Sequence, residues 1–154
     1  VDLTLVLREV CEEHSYLAEG KAQKYRVYLP DVPTYVPGDH AQLREAAANL
    51  ISNAIKYTPE EGRVMVSLEF DGDAAIFEVQ DTGYGIPENM QKRLFEPFYR
   101  AKTKETSAIE GTGLGLHLVK NIVERHHGRM IFRSRYQEGS TFGFQIPTNP
   151  SLES

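Results

Sequence analysis

One cysteine is all this 154-residue chain holds, so Cys11 has no partner for an internal disulfide. Without a disulfide framework nothing points to an oxidising compartment, and a reducing cytoplasm is the expected setting. Long apolar runs are missing too. No stretch approaches the roughly eighteen residues needed to span a bilayer, and the first residues lack a signal-peptide pattern. Direct membrane contact by this domain is therefore not expected, and any tether would lie outside it. Positive charge is also short: 17 Lys and Arg against 22 Asp and Glu leave a formal charge of −5. Non-specific nucleic-acid binding rests on broad basic surfaces, so nucleic acid is not the expected partner. A small phosphate ligand needs only a local positive site. Lys92, Arg93, Arg100, Lys102 and Lys104 bias one stretch that way, unless they simply solvate a surface loop.

What is present suffices for one domain with a hydrophobic core. Leu3, Val6, Leu7, Val10, Cys11, His14, Leu17 and Ala18 share one face of a first helix, which places His14 as a satisfied core histidine. "KYRVYLP" reads as a strand. Asp39 with Gln42 three residues on forms a capping box for a second helix reaching about Tyr57, which "PEEG" stops. Val64, Val66, Leu68 and Phe70 alternate, "FDGDAA" is a hairpin turn, and the returning strand aligns Phe77, Val79 and Asp81. A short helix is expected around Glu88 to Leu94, and the pattern is then lost until Thr112. A helix from about Gly113 to His127 and two strands, "RMIFRSRY" and "STFGFQIP", follow. Paired strands among helices predict an α/β (α+β) two-layer sandwich. Its mixed, mainly antiparallel sheet of about five strands is covered by three helices on one face. One domain over 1–147 with a flexible tail at 148–154 is expected.

Three stretches carry chemistry. In "EGTGLGLHLV", Gly111, Gly113 and Gly115 open a helix, where each glycine costs about 1 kcal/mol against alanine. The spacing fits neither a Rossmann fingerprint nor a P-loop, and no lysine follows the last glycine. Backbone N–H groups turned toward an anion at a helix N-terminus would explain them, as would plain loop punctuation. In "REAAANLISNAIKYTP", Asn49, Asn53 and Lys56 fall at i, i+4 and i+7 beside an apolar surface. Half-buried amides need partners, either neighbouring backbone or a hard cation with phosphate oxygens. Asp81 faces inward from its strand, where an unpaired carboxylate is costly. An amine such as that of adenine would satisfy it, as would an Asx-turn to the backbone of Gly83.

Together these stretches resemble the catalytic, ATP-binding domain of two-component sensor histidine kinases. That family belongs to the Bergerat-fold (GHKL) superfamily of gyrase B, heat-shock chaperone and mismatch-repair ATPases. "NLISNAIKYTP" looks like its N box, "DTGYGIP" its first glycine box, "FEPFYR" its F box and "GTGLGL" its second glycine box, with "GSTFGFQIP" as the closing strand. The resemblance implies Asn53 as a ligand of Mg²⁺ on ATP, Asn49 supporting phosphate or metal, and Lys56 on phosphate, these three forming the catalytic set. Tyr57 would border the nucleotide, Asp81 would bind the adenine amine directly and through water, and Gly83, Gly85 and Ile86 would shape the pocket floor. Residues 88–112 would form an ATP lid with Phe95 and Phe98 as anchors. Arg100 would neutralise phosphate, with Lys102 or Lys104 as alternatives. Gly111, Thr112, Gly113, Leu114, Gly115 and Leu116 would form the hinge and anion-facing helix start, and Thr141 would close the pocket.

The acceptor implied by the family is a histidine on a separate dimerisation domain, and a response regulator would follow. His14, His40, His117, His126 and His127 all lack the acceptor context. His126 and His127 would suit a helix C-terminus as cations. The isolated domain is expected to be monomeric, and a full-length kinase homodimeric. Hydrolysing cousins carry a glutamate base where this chain has Asn49, so slow intrinsic hydrolysis is expected, and Glu45 is a poor replacement. A serine-directed kinase or chaperone-type ATPase of the same fold, or a non-catalytic nucleotide-binding module, are the other readings.

Overall fold

Alternation decides the sheet. The computed structural model describes residues 1–107, 109, 111 and 115–148. The predicted site residues Thr112, Gly113 and Leu114 lie outside these, as do tail residues 149–154. Among the described residues the chain runs α1 (Leu3–Gly20), β1 (Lys24–Tyr28), α2 (His40–Lys56), β2 (Arg63–Phe70), β3 (Ala74–Asp81), α3 (Glu88–Gln91), α4 (Gly115–Arg125), β4 (Arg129–Arg135) and β5 (Gly139–Pro147). The five strands form one sheet in the order β1-β2-β3-β5-β4. β1 pairs parallel to β2 and every other pair is antiparallel, as expected of a mixed, mainly antiparallel sheet.

Val64, Val66 and Leu68 of β2, Phe77 and Val79 of β3, and Phe144 and Ile146 of β5 point to one side, where the helices cover them. Each such buried side chain contributes about 1.5–3 kcal/mol. Lys24, Arg26, Arg63, Arg133 and Arg135 stand exposed at alternate positions, on the face that the helices leave open. The helical layer is α1, α2 and α4. The fourth helix, α3, spans only four residues, and single turns continue its path to Tyr99. The expected helix to Leu94 is shorter because Leu94 N–H bonds to Gln91 O at 3.3 Å, an i to i+3 turn.

In α1, Leu3, Val6, Leu7, Val10, Cys11 and Ala18 are buried. His14 Nδ1 donates to Val10 O at 2.8 Å and is satisfied within the helix. Cys11 is 3% exposed, and burial pushes its thiol up to about 11. Its carbonyl accepts the Tyr25 hydroxyl at 2.9 Å, which ties α1 to β1.

The N-cap of α2 is half as predicted. Asp39 accepts the Gln42 N–H at 2.9 Å, but its own N–H donates to His126 Nε2 at 3.0 Å instead of to the Gln42 side chain. His126 Nδ1 donates to Ile122 O at 2.7 Å. A ring that donates at one nitrogen and accepts at the other is neutral. His126 therefore is not a cation on the helix dipole; it is a buried clasp between the end of α4 and the start of α2. Thr148, expected in the tail, bonds to Asp73 O at 2.9 Å through its N–H and 3.0 Å through its hydroxyl.

Candidate functional site

Between α2, the end of β3, the 94–111 segment and the start of α4 lies a cleft of about 400 Å³. It is lined by Asn49, Asn53, Lys56 and Tyr57 from α2 and its cap, by Asp81, and by Gly85 and Ile86 after β3. Arg100, Gly111, Gly115 and Leu116 complete the opposite wall. Residues from four separate stretches of the sequence thus share one space.

The α2 stripe arises because three residues at helical spacing stand at the border of its buried face. Asn49 Nδ2 donates to Glu45 O at 2.9 Å, which orients the amide and turns Oδ1 toward α4. A Cβ on Gly115 would lie 3.0 Å from that oxygen, so a side chain there would crowd the Asn49 amide and the glycine leaves it room. Among the described residues, the Asn53 side chain makes no hydrogen bond, and its amide lines the cleft. Lys56 Nζ sits 5.6 Å above the Tyr57 ring. Lys56 Nζ and Arg100 Nε would lie 3.3 and 3.5 Å from a Cβ on Gly111, so two cations converge on one point of the wall. The Arg100 guanidinium donates to Ile109 O, while Lys102 and Lys104 are exposed and do not line this cleft.

At the other end Asp81 is 8% exposed. Its Oδ1 accepts the Gly83 N–H at 2.8 Å and the Ser140 N–H at 3.2 Å. The predicted Asx-turn is present, yet it engages one oxygen. Among the described residues Oδ2 has no hydrogen-bond donor, so an amine could still be taken by the same group. Burial pushes the carboxyl up to about 6, with the two backbone N–H groups pulling the other way. Among the described residues, the buried Thr58 Oγ1 has no hydrogen-bond partner, and it lies 3.0 Å from where a Gly83 Cβ would be. An orphaned hydroxyl beside a carboxylate fits a water bridge to a polar ring. A side chain at Gly83 would run into the Tyr57 carbonyl, and one at Gly85, whose φ is +66°, into the Arg135 carbonyl. Ile86 N–H donates to Ser134 Oγ at 2.9 Å, which pins the floor to β4.

Two expectations are corrected. Thr141 does not close the cleft: Ser140 and Phe142 line it, and strand alternation turns Thr141 to the other face, opposite Gln80 and Arg133. Phe98 is not an anchor, being 73% exposed at φ +67°. Leu94, 5% exposed, and Phe95, packed edge-on 6.0 Å from Phe132, hold that segment instead. Ser140, Tyr84, Tyr99 and Thr106 also line the cleft, and the sequence alone did not point to them. None carried a local signal: Ser140 meets Asp81 only through the long-range pairing of β5 on β3.

Comparison with known proteins agrees with this geometry. Residues 38–150 match the family model described as histidine kinase-, DNA gyrase B- and HSP90-like ATPase. The chain is 44% identical over 115 residues to the circadian input-output histidine kinase CikA of Synechococcus elongatus, covering 75% of this chain and 15% of that protein. It spans between 15% and 40% of the length of the curated relatives it matches. Among solved structures, the mycobacterial sensor histidine kinase MprB superposes with a TM-score of 0.81 at 30% identity, covering 97% of each chain. Full-length ShkA in complex with AMPPNP gives 0.77 at 30% identity, over 97% of this chain and 32% of that one. The chain belongs to the histidine kinase-, DNA gyrase B- and HSP90-like ATPase family and has the fold of a sensor histidine kinase catalytic domain.

Proposed function

We propose that this domain binds ATP with Mg²⁺ and passes the γ-phosphoryl group to a histidine on a separate dimerisation domain, for onward transfer to a response regulator. One observation carries the reading. Among the described residues, one cleft has an unengaged carboxylate oxygen at one end and side-chain amides with two converging cations at the other. A purine with an exocyclic amine suits the first end, and a triphosphate suits the second.

In this reading Asp81 Oδ2 takes the adenine amine, Thr58 holds a bridging water, and Gly83 and Gly85 keep the floor clear. Lys56 and Arg100 neutralise phosphate charge. Asn53 would hold the Mg²⁺, whose bound form supplies charge neutralisation across the phosphates, and Asn49 Oδ1 supports it. Phosphoryl transfer asks mainly for positioning and charge neutralisation, which these residues provide. None of them is a base beside the phosphate end: Asn49 cannot accept a proton, and its amide nitrogen is tied to Glu45 O. Water is therefore poorly activated, and a supplied imidazole is the expected nucleophile. A cytoplasmic position of the domain follows from that role.

The test mixes the chain, γ-labelled ATP and a histidine-bearing helical hairpin. Acid-labile label on the hairpin is expected, with little steady-state hydrolysis in its absence. Asn53→Ala should lose Mg²⁺-dependent ATP binding by calorimetry. Brisk hydrolysis abolished by Glu45→Gln would favour an ATPase, and ATP binding with no label on the hairpin a non-catalytic module.

A further inference from the structure

Residues 102–107, Lys-Thr-Lys-Glu-Thr-Ser, contain no apolar side chain, yet this segment holds part of the cleft wall. Its Thr106 is 5% exposed and lines the cleft beside Arg100 and Ala101. Without hydrophobic anchors, polar contacts must hold it. Inside the segment Thr106 Oγ1 accepts the Thr103 N–H at 3.0 Å and donates to Ala101 O at 3.3 Å. Outside it, the Tyr136 hydroxyl lies 2.8 and 3.0 Å from the two carboxylate oxygens of Glu105, and Gln137 Nε2 donates to the same group at 3.3 Å.

Tyr136 and Gln137 form the β4–β5 turn, which has a second attachment. Gln137 N–H donates to Tyr84 O at 2.6 Å, and the backbone at Arg135 is what forbids a side chain on Gly85. One turn thus braces both the pocket floor and the opposite wall.

We infer that Glu105 and Tyr136 are positioning residues for the nucleotide cleft, pinning residues 101–106 to the β4–β5 turn so that Arg100 and Thr106 stay in the wall. The inference rests on the nucleotide reading above. Hydrogen bonding by Tyr136 holds the Glu105 carboxyl at about 2, so the pin stays ionised at any working pH. A phenol-to-carboxylate bond also carries no second charge, and salt should weaken it less than an ion pair.

The test uses the 154-residue chain and a fluorescent ATP analogue with Mg²⁺. Tyr136→Phe and Glu105→Ala should each speed analogue release about three- to tenfold, the weight of one partly exposed charge-assisted hydrogen bond. The double variant should release no faster than Glu105→Ala alone, because that change already removes the Tyr136 contact. Glu105→Gln keeps an acceptor for the phenol and should recover part of the effect. Melting of the nucleotide-free variants should match the parent, which a merely structural role would not allow. Parental release rates in both single variants, or multiplied effects in the double, would overturn the inference. If the parent chain binds no nucleotide, the functional reading fails separately. Amide exchange at residues 103–106 of the free chain then decides the pin, faster exchange in Tyr136→Phe supporting it and unchanged exchange overturning it.

Discussion

In the proposed role, Asp81 would serve binding at the expense of folding. Burial raises its carboxyl from 3.8 to about 6, so between those values the folded chain binds more protons than the unfolded one. Stability from this group is complete below pH 3.8 and declines as pH rises to about 6, a loss of about 3 kcal/mol. An asparagine at this position keeps an oxygen for the Gly83 and Ser140 N–H groups but has nothing to ionise. Asp81→Asn is therefore expected to be as stable as the parent or more so at pH 7, with a flat profile between pH 4 and 6 in urea denaturation. The same variant should lose ATP affinity by about 100-fold or more, as one polar partner of a buried amine is removed. In the parent, calorimetric affinity should fall as pH drops below about 6, because the added proton occupies the oxygen meant for the amine. Parallel pH profiles for parent and variant would show that another group titrates.

Among the elements, α2 and α4 matter most. They meet at Gly115 against Asn49 and again at His126 against Asp39, so the helix with the amide stripe is gripped at its middle and at its start. His126→Ala leaves the Asp39 N–H without its partner and opens space under Gly38, and is expected to destabilise by about 2–3 kcal/mol in chemical denaturation. Nucleotide affinity should weaken with it as α2 loosens. The sequence disclosed α2 because its capping residue, its apolar face and its stop are local. It could not disclose the clasp, since His126 lies 87 positions from Asp39 and looked like a helix-end cation. The same limit explains the remaining surprises. Parallel pairing of β1 on β2 depends on a crossover that periodicity does not encode. Thr141, placed in the pocket by the family resemblance, lies on the other face because the phase of a strand is set by its neighbours. The Glu105 pin sits in a stretch with no pattern at all.

For the molecule as a whole, one layer of helices leaves one sheet face open and gathers the cleft at the sheet end marked by Asp81. A ligand bridging that end touches α2, β3, the 94–111 segment and α4 together, so occupancy should stabilise the entire fold. At 100 times its dissociation constant a ligand adds about 2.7 kcal/mol, which for a domain of this size corresponds to about 5–10 °C in melting temperature. Mg²⁺-ATP is expected to produce that rise and Mg²⁺-GTP to produce none, because guanine presents a carbonyl where Asp81 needs an amine. Equal shifts from both nucleotides, read by differential scanning calorimetry, would move the purine away from Asp81.

The burial of Cys11 beneath α1 reaches further than packing. A thiol held near 11 and shut from solvent stays unreactive toward maleimides at neutral pH, so the wild-type chain behaves in labelling chemistry as though it had none. One cysteine introduced at exposed Lys104 would then carry a dye or spin probe alone, leaving every native residue of the core in place.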